Sequence, residues 1–281
     1  MSAEDFEFEP PVVPQDLADE LEIEEGDKNV RQNRFYVQET EVYLKHLRPR
    51  VKKIDKFWLT TLLNHTQLAA TATSKEDQHA LSFLEDIELV QDLNDFRPFE
   101  LKFHFKENPY FTNTVLSKKY ALKEGTEPAP KDGSITDELR KFEGTDDLSA
   151  ESIKIDWKSE DKNLPKKQPR VVQGHDHDDP NHVCGDDDSE GGFEGDLGSF
   201  FIFFENAEDP LQIGDILRSE ILPDAYAYFE NRGDNSPGNE FGMDSDEDDE
   251  LDEESDDDEE EIDLEAEEIN KKKRKFGKNG K

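Results

Sequence analysis

Apolar residues recur at a strict seven-residue interval near the start of the chain: Ile23, Val30, Val37, Leu44, Val51 and Trp58. Leu47 and Ile54 follow three residues after Leu44 and Val51, while Asn33 and Thr40 interrupt that second series. Such a seam marks a helix packed lengthwise against another helix. Gly26-Asp27 weakens its start, so the helix is expected over residues 27–56, with Pro49 bending it or removing one backbone hydrogen bond. At 1.5 Å per residue it would run about 43 Å, longer than a small domain can cover. Val30, Val37, Leu44 and Val51 are therefore assigned to dimerisation.

Beyond this helix the pattern changes. Residues 57–63 form a compact apolar run that reads as a short buried helix, and Ser74 precedes Lys75, Glu76 and Asp77 as an N-cap. Phe99, Leu101, Phe103 and Phe105 then alternate with Glu100, Lys102, His104 and Lys106, the period of a half-buried strand. Residues 87–93, 114–122 and 153–157 look similar, and no helix-length crossover separates the first of these from the next, so an antiparallel meander is expected. Residues 124–150 and 159–198 are rich in Gly, Pro, Asp and Lys and are expected as long loops. The aromatic run 199–204 and the helically spaced Ile213, Ile216, Leu217 and Ile221, followed by Tyr226, Tyr228 and Phe229, should cap one face of the sheet.

Charge changes this picture. The 281 residues carry 72 Asp and Glu against 34 Lys and Arg, a net charge of −38, with only 32 % hydrophobic residues. One compact globule of that composition would repel itself and bury too little. The excess is localised: residues 1–27 hold 11 acidic and no basic residues, 174–198 hold 9 and none, and 244–268 hold 19 and none. Residues 28–173 are nearly neutral. The expected organisation is an acidic disordered arm (1–26), the helix (27–56), an α+β domain (57–231) and a disordered acidic tail (232–281). The excess argues against direct, sequence-specific nucleic-acid binding, which needs Lys and Arg, and against anionic membranes. One cysteine excludes an intramolecular disulfide. The partner should be strongly basic.

No phosphate-binding, zinc-protease or paired-cysteine motif occurs, so no catalytic residue, metal site or cofactor is assigned. His175, His177, His182 and Cys184 have suitable ligand types for zinc, but their spacing matches no established site, and they read as a polar loop. Lys271, Lys272, Lys273, Arg274 and Lys275 form a compact basic run, the form of a nuclear import signal read by an import receptor. Ser245 and Ser255 lie among carboxylates where acid-directed kinases could add charge.

Several segments carry a resemblance. Residues 53–65, KIDKFWLTTLLNH, resemble the helix exit of SET-type (template-activating factor I) members of the nucleosome assembly protein family. Glu107, Asn108, Pro109, Tyr110 and Phe111, followed by VLSK at 115–118, resemble that family's hairpin motif, and 153–158, 199–201 and 228–229 continue in the same order. The resemblance covers roughly residues 28–231. It implies the "earmuff" fold: a long dimerisation helix, an antiparallel sheet capped by helices, and a disordered acidic tail. It further implies a histone chaperone that binds core histones as a homodimer and promotes nucleosome assembly and chromatin remodelling; the basic run at 271–275 adds the expectation of a nuclear protein that shuttles with the cytoplasm. Asp209, Asp215, Glu220, Asp224 and Glu230 of the C-terminal layer are the candidate histone-binding carboxylates. The rival readings are an inhibitor of phosphatase 2A or of histone acetylation, and, more remotely, a zinc enzyme using the His/Cys insert.

Overall fold

A computed structural model describes residues 11–172 and 195–238. Its first element is a single helix, α1 (Gln15–Val51), of 37 residues and about 55 Å. It starts twelve residues before the expected position, inside the segment expected as a disordered arm. Acidic residues in the first turns suit the positive end of the helix dipole. Gly26 does not break the helix. It is a docking point: a Cβ there would stand 2.9 Å from the Arg140 side chain, whose guanidinium pairs with Asp27 at 2.7 Å. Pro49 lies in the last turn, where only the bond to Lys45 is forfeited.

Three short helices follow: α2 (Phe57–Leu63), α3 (Thr66–Thr71) and α4 (Lys75–Leu81). The Ser74 hydroxyl caps α4 by accepting the Asp77 amide at 2.9 Å, as expected. The chain then builds a four-stranded antiparallel meander from β1 (Leu84–Gln91), β2 (Phe99–Phe105), β3 (Val115–Leu122) and β4 (Leu148–Glu151), in that order across the sheet.

The strand expected at 153–157 is not one. The fourth strand lies just before it, in a stretch expected as loop. Ile155 is buried, but the backbone bonds here run to Phe204, Thr112 and Tyr110, with one isolated antiparallel bridge between Trp157 and Phe111 and no continuous strand. Alternation reported burial correctly and misreported pairing, because both extended loops and strands alternate. The loops hold further short elements, α5 (Asp137–Arg140), α6 (Leu164–Lys167) and the two-residue strands β5 (Val171–Val172) and β6 (Gly195–Asp196).

The inner sheet face presents Leu101, Phe103, Leu116 and Tyr120 to a C-terminal layer of α7 (Ile202–Glu205), α8 (Ile213–Ile216), a π-turn (Leu217–Ile221) and α9 (Ala225–Phe229). Phe103 meets Phe204 edge-on at 5.0 Å between ring centres, and Phe105 meets Phe111 at 5.1 Å.

The motif at 107–111 proves to be a turn. Asn108 is buried; its side-chain oxygen accepts the amides of Tyr110 and Phe111 at 2.9 and 3.0 Å, and its backbone carbonyl accepts Lys158 Nζ at 2.6 Å. Tyr110 bonds His79 at 2.8 Å and Phe111 enters the core, while Glu107 and Pro109 are exposed. Asn108→Ala leaves two buried amides without an acceptor. It should lower stability by about 1–3 kcal/mol, read as a lower urea midpoint.

Candidate functional site

The heptad residues do not form an outward seam. Val30, Leu44 and Val51 are each under 5 % exposed, and Leu44, Leu47 and Val51 belong to the main core. Val30 and the half-buried Val37 pack with Phe96 and Leu139 in a smaller cluster tied to α5. These residues attach α1 to its own subunit, so their assignment to dimerisation is corrected. From Gly26 to Val51 the inner side of the helix is covered by its own subunit, through α5, β1 and the C-terminal layer.

A second seven-residue series lies on the opposite face: Leu21, Lys28, Phe35, Val42 and Pro49. Leu21, Phe35 and Val42 are 56, 58 and 45 % exposed, with Leu17 beside them at 45 %. The spacing of this series was present in the sequence; which of two equal periods faced inward was not.

From Gln15 to Glu25 every side chain except the half-buried Ala18 is exposed. This overhang carries Asp16, Asp19, Glu20, Glu22, Glu24 and Glu25 with no basic residue, and Asp27 follows. It is the densest run of one charge with defined geometry among the described residues. The outer face of the sheet contrasts with it. There Glu100 pairs with Lys102 at 3.4 Å and Glu151 with Lys119 at 2.8 Å, while Glu88 hydrogen-bonds the His104 ring at 3.1 Å, so these carboxylates already have partners.

The five candidate carboxylates of the C-terminal layer divide. Asp209 is turned inward, accepting Tyr120 Oη at 2.5 Å and the amides of Ile213 and Gly214 at 3.1 and 2.8 Å. Burial and then Asp209 push the Tyr120 phenol well above its usual range, so it stays a donor at every physiological pH. Nearby Lys118 is fully buried, bonds the Asn206 carbonyl at 2.5 Å, and has its ammonium pushed down by burial, against the pull of Asp209. Asp215 pairs with Arg218 at 3.1 Å, and that guanidinium lies 4.8 Å from the Phe99 ring centre. Glu220 accepts from Asn235 and lies 3.2 Å from the Nε2 of buried His65. These three act within the fold. Asp224 and Glu230 are exposed, with Glu230 held by Tyr226 at 2.6 Å and by Arg232.

Lys271 to Lys275, Ser245, Ser255 and the His175, His177, His182 and Cys184 group lie outside the described residues. Among the described residues no cluster of His, Cys, Asp and Glu fits a metal ion, and no helix is long and apolar enough to cross a membrane.

Known proteins agree with this architecture. A family model for nucleosome assembly proteins matches residues 12–232. Human protein SETSIP is 26 % identical over 221 residues, covering 76 % of this chain and 59 % of that protein. Human nucleosome assembly protein 1-like 1 is 30 % identical over 199 residues, covering 63 % of this chain and 46 % of the relative. The chain thus spans about half the length of these curated relatives. The crystal structure of Ccp1 superposes with a TM-score of 0.51 at 19 % identity, over 78 % of this chain and 94 % of Ccp1, a likeness of fold. With the match running from the overhang of α1 through the last helix of the C-terminal layer, the chain belongs to the nucleosome assembly protein family.

Proposed function

We propose that this protein is a histone chaperone, a binding protein and not an enzyme, which holds core histones on acidic surfaces and promotes nucleosome assembly. The observation that carries the reading is the family match over residues 12–232, joined to an acidic helical overhang that the fold leaves uncovered. Asp16, Asp19, Glu22 and Glu25 of the overhang, with Asp224, are the carboxylates of defined geometry available to a basic partner. The acidic runs 174–198 and 244–268 add long-range attraction that raises encounter rates and is screened by salt. Lys271 to Lys275 direct nuclear entry in this reading.

The chain acts as a homodimer joined through Leu21, Phe35 and Val42. Residues 16–27 carry seven acidic charges, and residues 45–56 carry six basic charges against Asp55. An antiparallel pair sets the acidic end of one helix beside the basic end of the other, and a parallel pair sets like against like. Carboxylates that point away from the seam stay available.

Core histones should be retained by the full chain at moderate salt and passed to plasmid DNA as nucleosomes. Neutralising Asp16, Asp19, Glu22 and Glu25 to Asn or Gln should weaken histone binding roughly tenfold and flatten its salt dependence. Failure of the unaltered chain to retain histones would remove the proposal.

A further inference from the structure

The sheet order leaves β1 at an edge. Which of its backbone groups face outward follows from the neighbouring hydrogen bonds. Phe105 donates its amide to Thr114 on the β3 side, and Lys106 donates to Phe83 on the β1 side. Odd residues of β2 therefore face β3 and even residues face β1. The even residues Lys102 and Glu100 stand opposite Glu88 and Val90, so Ile87, Leu89 and Gln91 turn their backbone groups away from the sheet. Arg48 of α1 confirms the direction by donating to the Ile87 carbonyl at 3.2 Å. The next outward pair, the amide and carbonyl of Leu89, has no partner among the described residues.

That edge opens into a groove beneath α1. One part, of about 270 Å³, is lined by Thr40, Glu41, Leu44, Arg48 and residues 88–91. The adjoining part, of about 450 Å³, shares Val37, Thr40, Leu89 and Gln91 with it and continues to Tyr36 and Asp224. From Asn33 to Arg48 the groove follows α1 for about 22 Å, the length of six or seven extended residues. Its cations are already matched, Arg48 by Asp86 at 3.2 Å and Arg218 by Asp215 at 3.1 Å. Glu41 and Asp224, which have no cationic side-chain partner among the described residues, leave the lining with excess negative charge. The seam of Leu21, Phe35 and Val42 is on the opposite face of α1, so pairing of two copies does not close the groove.

We propose that the outer edge of β1 accepts an extended cationic segment of a partner protein as a fifth strand, with Leu89 supplying backbone hydrogen bonds and Glu41 and Asp224 flanking it. The inference rests on the reading of this protein as a binder of basic proteins, and it names how one segment of the partner is held. Backbone pairing gives affinity, and Glu41 and Asp224 give selectivity for basic side chains.

The probe is a labelled heptapeptide of alternating Lys and Val, set against the same peptide methylated on alternate backbone nitrogens. Methylation preserves charge and abolishes strand pairing. The full chain should bind the unmethylated peptide roughly tenfold more tightly at moderate salt, and amide exchange at Leu89 and Gln91 should slow in the complex. Glu41→Lys with Asp224→Lys, both on the surface, should weaken binding of both peptides roughly tenfold while thermal unfolding stays unchanged. Equal binding of the two peptides, or unprotected amides at Leu89 and Gln91, would overturn the groove proposal even where core histones still bind. Loss of histone binding by the unaltered chain would instead strike the chaperone reading.

Discussion

Replacing Phe35 and Val42 together by Glu should abolish the self-association proposed through the outer face of α1 while leaving the subunit folded. Both side chains sit more than two-fifths exposed on the outer face of α1, seven residues apart, with Leu21 two heptads before Phe35. Burying such side chains against a second helix contributes about 1.5–3 kcal/mol each, and a twofold interface counts every one twice. Introducing four carboxylates into that seam should therefore weaken association by a hundredfold or more, by a conservative reckoning. Sedimentation velocity over a concentration series measures it. The matched control is Leu44→Ala on the inner face. That change should lower stability by about 2–5 kcal/mol and leave the dimer intact, because Leu44 is 2 % exposed and packs in its own subunit. If Leu44→Ala dissociates the dimer and the Phe35/Val42 variant does not, the seam lies on the face originally expected.

Asp209→Ala should destabilise the fold by about 3 kcal/mol without changing the histone affinity of the molecules that remain folded. The carboxylate accepts from Tyr120 Oη and from two amides, and it partly compensates the buried Lys118 ammonium. Its removal strands three donors and a cation at the contact between β3 and α8. Gly214 is part of the same contact: a Cβ there would fall 2.0 Å from the Tyr120 hydroxyl, so no larger residue fits. Urea unfolding followed by the fluorescence of Trp58 and Trp157 reads the loss. Asp224→Ala, on an exposed carboxylate with no side-chain partner among the described residues, should leave that midpoint within about 0.5 kcal/mol of the parent. A large drop in histone affinity with an unchanged midpoint for Asp209→Ala would return Asp209 to the binding surface.

These two residues show where the chain could be read directly and where it could not. The alternation of Phe99 to Phe105 has one solution, because a strand flanked by strands must bury one face. Ser74 could be read as a cap for the same reason: the interaction is local and needs no distant partner. Ile155 and Trp157 misled, since burial of alternate residues does not reveal which backbone accepts the bond. Glu220 and Asp209 were indistinguishable from Asp224 as acidic residues near apolar ones, and only the positions of His65, Tyr120 and Asn235 separate them.

Local chemistry alone, then, determined the long amphipathic helix, the first three strands of the meander and the partition of charge into a neutral centre and acidic flanks. Each depends on residues close together in the chain, or on composition summed over a segment. Tertiary structure decided which of two heptad faces turns inward, which carboxylates are free, and that the acidic start of α1 stands clear of the domain. Those outcomes depend on contacts such as Gly26 with Arg140, Val30 with Leu139 and Asp209 with Tyr120. Residues about ninety to a hundred and ten positions apart settle them, and a helical period carries no information about what lies across from it.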